Sequence, residues 1–147
     1  MEPPLRDVLR HSPTIAVLGI HDDPARAGCY VPAYLHRHGY RILGVNPGLV
    51  GRELFGSPVR ATLAELDEPY QLVDVFRRAE HLPGHEAALA ACPAAVIWFQ
   101  QGIVEDAVAA RLRAAGKLVI QDRCTLAEHR RLGLGAPDAD SPLPARI

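Results

Sequence analysis

Three sets of residues in this chain could do chemistry. Gly19 ends an apolar run, residues 15–18, and opens a polar loop over residues 21–28 that carries Arg26. A strand, a turn and a helix start in that order present backbone N–H groups to an anion. A guanidinium in the loop adds a charge-assisted hydrogen bond to a phosphate oxygen. Arg77 and Arg78 follow a second apolar run, residues 71–76. A lone arginine is more often a solvated surface charge, but several cations placed at strand ends suit a polyphosphate. The third set is Cys124, Glu128 and His129. A spacing of four puts Cys124 and Glu128 on one helical face, with His129 turned away by about 100°. A thiol enzyme acting through Cys124, or a metal site joined by Asp122, is one expectation. The plainer one makes Cys124 a small buried residue and Glu128 the partner of Arg123 or Arg131. The seven histidines, at 11, 21, 36, 38, 81, 85 and 129, show no partner motif.

The elements that position these residues alternate. Residues 5–11 predict a short leading helix, with Leu5, Val8 and Leu9 at helical spacing, ended by Ser12 and Pro13. A strand over 14–18 is followed by a helix from about 29 to 38, on which Tyr30 and Tyr34 are packing residues, and Gly39 stops it. Residues 41–45 form the second strand, ended by Asn46, Pro47 and Gly48. A glycine-rich connector over 49–58 dips Leu54 and Phe55 into the core. Thr62 caps a short helix through Leu66, with Glu65 completing a capping box. The third strand is 71–76. An alanine-rich helix spans 83–91, a fourth strand with core Trp98 spans 94–99, and a helix covers 104–115. A fifth strand spans 117–120, and a last helix has Thr125 as N-cap and Glu128 at its third position. From Gly133 onward Gly, Pro, Ala and Asp dominate, which predicts a disordered tail over 133–147 after one domain, 1–132.

This alternation predicts an α/β fold: a Rossmann-like parallel sheet of about five strands with helices on both faces. Ligands of such sheets sit beyond the carboxyl ends of the strands, where the strand order reverses. With 147 residues, 48% of them hydrophobic, and a net charge of −1, the chain is an ordinary globular domain and not a general nucleic-acid binder. No apolar run reaches the roughly 20 residues that span a bilayer. The N-terminus lacks a signal-peptide pattern, so a cytoplasmic location is expected. Cys29, Cys92 and Cys124 are odd in number and widely spaced, which suggests reduced thiols.

The first loop is not a dinucleotide fingerprint. Where the pattern wants further glycines the chain has His21 and Pro24, and no carboxylate ends the second strand to hold a ribose hydroxyl. An NAD(P)-dependent oxidoreductase is therefore the alternative, not the leading reading. No P-loop sequence occurs.

A set of blocks carries a resemblance. These are Ala16-Val17-Leu18-Gly19-Ile20, Val45-Asn46-Pro47, Val75-Phe76-Arg77-Arg78, Trp98-Phe99-Gln100-Gln101-Gly102-Ile103, and Asp122-Arg123-Cys124 with Glu128-His129-Arg130-Arg131-Leu132. In this order they resemble the small bacterial CoA-binding proteins, relatives of the CoA-binding domain of the succinyl-CoA synthetase α subunit. The resemblance runs from about residue 14 to 132. It implies coenzyme A, or an acyl-CoA, laid across the strand ends. Gly19, Ile20 and His21 would then line the phosphate end, with Pro24 and Arg26 continuing the loop and Arg26 on a phosphate. Val45, Asn46 and Pro47 would wall the adenosine, with Val75, Phe76 and Arg77 as the next wall. Gln100 and Gly102 would lie along the pantetheine arm. His21 departs from the small or hydroxyl residue common in relatives, which leaves a backbone contact there. Cys29, beside the loop, could form a mixed disulfide with CoA. The synthetase's phosphohistidine domain has no room in this chain, so binding without that reaction is expected. A purely interactional role stays open, because fold does not fix function.

Overall fold

The computed structural model describes residues 4–140, 142 and 143. From the N-terminus the chain forms α1 (Leu5–Arg10), β1 (Thr14–Leu18), α2 (Ala27–Arg37) and β2 (Arg41–Val45). A small hairpin of β3 (Glu53–Leu54) and β4 (Ser57–Pro58) follows, then β5 (Leu72–Val75), α3 (Leu82–Ala91) and β6 (Val96–Phe99). The order closes with α4 (Asp106–Ala114), β7 (Leu118–Ile120) and α5 (Thr125–Arg131).

Side-chain alternation builds two cores on one sheet. Successive residues of a strand face opposite sides. Ile15 and Val17 of β1, with Val96 and Trp98 of β6, pack against Leu9 of α1 and Val31 and Leu35 of α2. Ala16 and Leu18, with Ile97 and Phe99, pack against Leu82 and Leu89 of α3 and Val108 and Leu112 of α4. Both faces are apolar, as strands covered by helices on each side require. Trp98 is wholly buried, and its indole N–H donates to the Arg123 carbonyl at 2.8 Å. Burial of a side chain of this kind is worth about 1.5–3 kcal/mol.

The five long strands are parallel in the order β2-β1-β5-β6-β7. From β1 the chain moves outward to β2, then returns past β1 to β5, and winds on in the other direction. The reversal lies between β1 and β5, where Leu18 is paired with both Val45 and Val75. A crevice is expected beyond their carboxyl ends.

Several local expectations change. The connector after β2 is a hairpin. Its two-residue turn, Phe55 and Gly56, has φ of 54° and 83°, the doubly positive turn that suits tight hairpins. Leu54 and Phe55 are half-buried against the core. Thr62 precedes a 3-10 turn, Leu63–Glu65, but makes no cap bond; its hydroxyl donates to the Glu65 carboxylate at 2.9 Å. The N-cap of α5 is Cys124. Thr125 is the first helical residue, buried with its hydroxyl donated to Asp74 at 2.8 Å. Tyr34 is buried, whereas Tyr30 is 48% exposed.

Beyond α5 the chain is irregular but tied down where described. The Gly135 carbonyl lies 3.0 Å from His129 Nε2, and the Asp138 amide donates to the Arg10 carbonyl at 2.7 Å. Ser141 and residues 144–147 of the expected tail lie outside the described residues. No helix among the described residues is long and apolar enough to cross a membrane.

Candidate functional site

Two glycines bring α2 onto the end of β1. Gly19 has φ +90°, and a Cβ there would lie 3.0 Å from the Phe76 carbonyl oxygen and 3.1 Å from Arg77 Cδ. At Gly28 a Cβ would lie 2.9 Å from the Gly19 carbonyl oxygen. A glycine is needed at each place, the first for its backbone and the second for the close approach of helix to strand. The Gly19 amide donates to the Val45 carbonyl at 2.9 Å, and the His21 amide to the Gly28 carbonyl at 3.0 Å. Arg26 occupies the N-cap of α2 and makes no side-chain cap bond; its carbonyl accepts from the Cys29 and Tyr30 amides at 2.9 and 3.0 Å.

A cavity of about 480 Å³ opens beside this turn. Gly19, Ala27 and Gly28 form its floor with the start of α2, and Tyr30 and Val31 continue the wall. Phe76 and Arg78 enter after β5, Gln100 and Gln101 after β6, and Cys124 before α5. His21 also lines it; its Nδ1 accepts from the Asp23 amide at 3.0 Å. Arg26 lines it too, with no ion pair or side-chain hydrogen bond among the described residues.

A second cavity, of about 320 Å³, lies on the other side of Gly19. Val45, Asn46 and Pro47 wall it at the end of β2, Leu63 closes one side, and Arg77, His85 and Ala88 the other. Asn46 is fixed in place: its amide N–H donates to the Ile20 carbonyl at 2.8 Å and its carbonyl accepts from the Gly48 amide at 2.9 Å. The segment just after the hairpin buttresses this wall: the Asn46 amide donates to the Arg60 carbonyl at 2.9 Å, and Val45 bridges Arg60 in parallel.

The two cavities share Gly19 and have one electrostatic property in common. Cationic side chains line both, and among the described residues no carboxylate lines either. Arg77 is half-buried, and its Nε is buried with no hydrogen-bond partner among the described residues.

Of the residues expected at the site, Gly19, His21, Arg26, Phe76 and Gln100 line the larger cavity. Val45, Asn46, Pro47 and Arg77 line the smaller. Four are in neither wall. Ile20 and Val75 are wholly buried, and Ile20 packs against Gly44. Pro24 is on the exposed outer part of the loop, and the Gly102 amide donates to Asp122 at 2.7 Å. Arg26 and Arg77 thus flank Gly19 from different cavities. Tyr30 and His85 were not anticipated. The usable signal for His85 was its place in the first turn of the helix that follows β5.

Beneath the larger cavity lies a closed polar network. Asp74 of β5 is wholly buried and accepts from the Gln100 amide and the Thr125 hydroxyl. Gln100 also donates to Thr125 at 2.9 Å. Burial pushes the Asp74 carboxyl up to about 7, while the two hydrogen bonds act to lower it. These bonds fix the Gln100 side chain at the cavity wall.

Neither Glu128 nor His129 accompanies Cys124 on the cavity wall. Cys124 is half-buried: it packs against one core and also lines the cavity. Glu128 is held by Arg123 at 3.2 Å and Arg131 at 2.7 Å, as the plainer expectation had it. His129 is wholly buried, with Nδ1 2.9 Å from the Tyr34 hydroxyl. No group of three or more metal-ligating side chains is placed to hold an ion among the described residues. Burial first, then Asp22 and Asp23, push the Cys29 thiol above its ordinary value, which disfavours the reactive thiolate.

Comparison with known proteins bears on this arrangement. A family model described as CoA binding domain matches residues 13–130. The uncharacterized protein YneT of Bacillus subtilis is 36% identical over 125 residues, covering 85% of this chain and 91% of that protein. The solved structure of cell-free ID.343 from Thermus thermophilus superposes with a TM-score of 0.85 at 44% identity, covering 87% of this chain and 96% of that one. A dinucleotide-forming acetyl-coenzyme A synthetase of Ca. Korarchaeum cryptofilum is similar in fold alone, with a TM-score of 0.64 at 15% identity over 77% of this chain and 26% of that one.

Proposed function

We propose that this chain, which belongs to the CoA-binding domain family, binds coenzyme A or an acyl-CoA across the two cavities. The pyrophosphate lies over Gly19 at the uncapped start of α2, beside Arg26. The adenosine enters the smaller cavity between Pro47 and Leu63, and the pantetheine arm runs past Gln100 towards Cys124. The observation that carries this is the pair of carboxylate-free, cation-lined cavities meeting at Gly19, at the point where strand order reverses. No step of catalysis is assigned, because Glu128 and His129 are committed to partners away from the cavity. We place the protein in the cytoplasm as a small-molecule binder, in keeping with its free cysteines. The nicotinamide alternative lacks its main support, since no acidic side chain lines the adenosine-sized cavity.

Thermal melts with CoA, NAD and NADP test the reading. At one hundred times its Kd, CoA is expected to add about 2.7 kcal/mol, a rise of about 8 °C in Tm, with no shift from NAD or NADP. No shift with millimolar CoA, or an equal shift with NAD, would overturn it.

A further inference from the structure

We infer that Asp122 is a positioning residue for the larger cavity: it joins the loop after β7 to the tip of the loop after β6, and so holds the wall that receives the pantetheine arm. The inference rests on the CoA reading above and deepens it. Phe55 and Asp122 are the non-glycine residues with positive φ among the described residues, and Asp122 stands at +58°. That backbone state is unfavourable for a residue with a Cβ, although aspartate adopts it more readily than most. What it brings is a hydrogen bond: the Asp122 carboxylate accepts from the Gly102 amide at 2.7 Å. Gly102 has a φ of 86°, so a left-handed residue on each loop meets the other across the rim. Both are exposed, and one hydrogen bond in solvent adds little net stability. Strain kept for so small a return marks a shape needed for function.

The shape held is that of the cavity wall. The Ile103 amide donates to the Gln100 carbonyl at 2.9 Å, which leaves Gln101 and Gly102 at the tip of the turn. Gln101 lines the cavity on one side of the bond and Cys124 on the other. The bases of the two loops have ties of their own: the Gln121 side chain accepts from the Glu105 amide at 2.8 Å, and the Arg123 carbonyl accepts from Trp98. Among the described residues no hydrogen bond but that of Asp122 reaches the tip. This wall is also far from the phosphate end. His21 and Arg26 enter from the loop after β1, whereas Gln101 and Cys124 follow β6 and β7, two and three strands away. At about 4.8 Å per strand the separation is about 10–14 Å, the reach of an extended pantetheine. Asp122 therefore acts on the arm of the ligand and not on its nucleotide.

Calorimetric titration of the full chain with CoA and with 3′-phospho-ADP, which is CoA without its pantetheine, tests this. The wild type is expected to bind CoA at least about tenfold more tightly than 3′-phospho-ADP. Asp122→Ala is expected to weaken CoA about fivefold or more and to leave 3′-phospho-ADP within about twofold of the wild type. Asp122→Asn keeps an acceptor for Gly102 and accepts the same backbone, so CoA affinity is expected to return to within about twofold of the wild type. Asp122→Gly removes the bond at no steric cost and carries the test, with the same expected loss, if Asp122→Ala does not fold. Equal binding of the two ligands by the wild type overturns the inference. So does an equal loss for both ligands in Asp122→Ala, undiminished CoA binding in Asp122→Gly, or a loss in Asp122→Asn as large as in Asp122→Ala. If the wild type binds neither ligand, the CoA reading itself has failed, a result distinct from loss of the pantetheine contribution.

Discussion

The carboxyl-end rim of the sheet and the helix α5 carry the same kinds of side chain in opposite states. At α5, Glu128 is 8% exposed and held by two arginines, and His129 is buried between the Tyr34 hydroxyl and the Gly135 carbonyl. At the rim, among the described residues, Arg26 and Arg77 have no carboxylate, the Arg77 Nε is unmatched, and the N-cap of α2 makes no side-chain bond. The lesson is that a cluster's composition says little about function. What sets the rim apart is that its cations meet no carboxylate among the described residues, whereas the charged groups of α5 are paired. The Asp74–Gln100–Thr125 network is the seam between the two regions, closed itself but holding a rim residue.

Breaking the seam has the largest expected effect. The Asp74 carboxyl is raised from 3.8 to about 7 in the folded protein. Between those values the folded state keeps a proton that the unfolded state has lost, so stability falls as pH rises through the window and is flat outside it. The span amounts to about 4 kcal/mol at most. Asp74→Asn is expected to remove this slope, measured as urea stability from pH 3.5 to 8; an unchanged slope would show that the carboxyl is not held neutral. Next is Gly19→Ala, which forces a Cβ at φ +90° against the Phe76 carbonyl. It is expected to cost about 1–3 kcal/mol and to weaken CoA more than tenfold, read by melt and calorimetry. Arg26→Met sharpens the contrast further: about tenfold weaker CoA with an unchanged Tm, since this exposed side chain makes no hydrogen bond or ion pair among the described residues. The smallest effect belongs to α5. Arg131→Ala removes an exposed ion-pair partner and is expected to cost less than about 1 kcal/mol with CoA affinity unchanged. A large loss of affinity in Arg131→Ala would erase the distinction between the regions.

The sheet was legible because its strands are short apolar runs closed by turn residues, and β2 has the bounds expected of residues 41–45. Gly28 misled the start of α2: a glycine reads as loop, yet here it lets the helix touch the strand end. The hairpin was hidden because each strand is two residues long and Phe55 holds a positive φ that phenylalanine rarely adopts. Thr125 looked like a cap, but a buried carboxylate on β5 competed for its hydroxyl, and nothing local to α5 records that partner. At the rim, Gly19, Arg26 and Arg77 followed from the rule that ligands meet parallel strands at their carboxyl ends. Tyr30 and His85 did not, because their presence depends on how two helices lean over that rim. Residues after α5 have a loop composition, and their backbone contacts to Arg10 and His129 leave no trace in it.

The most direct measurement is a crystal structure of the protein soaked with CoA. The expected density places the pyrophosphate against Gly19 and Arg26, the base beside Pro47 and the thiol end near Cys124. Density for CoA elsewhere, or both cavities filled by protein side chains at saturating ligand, would contradict the account.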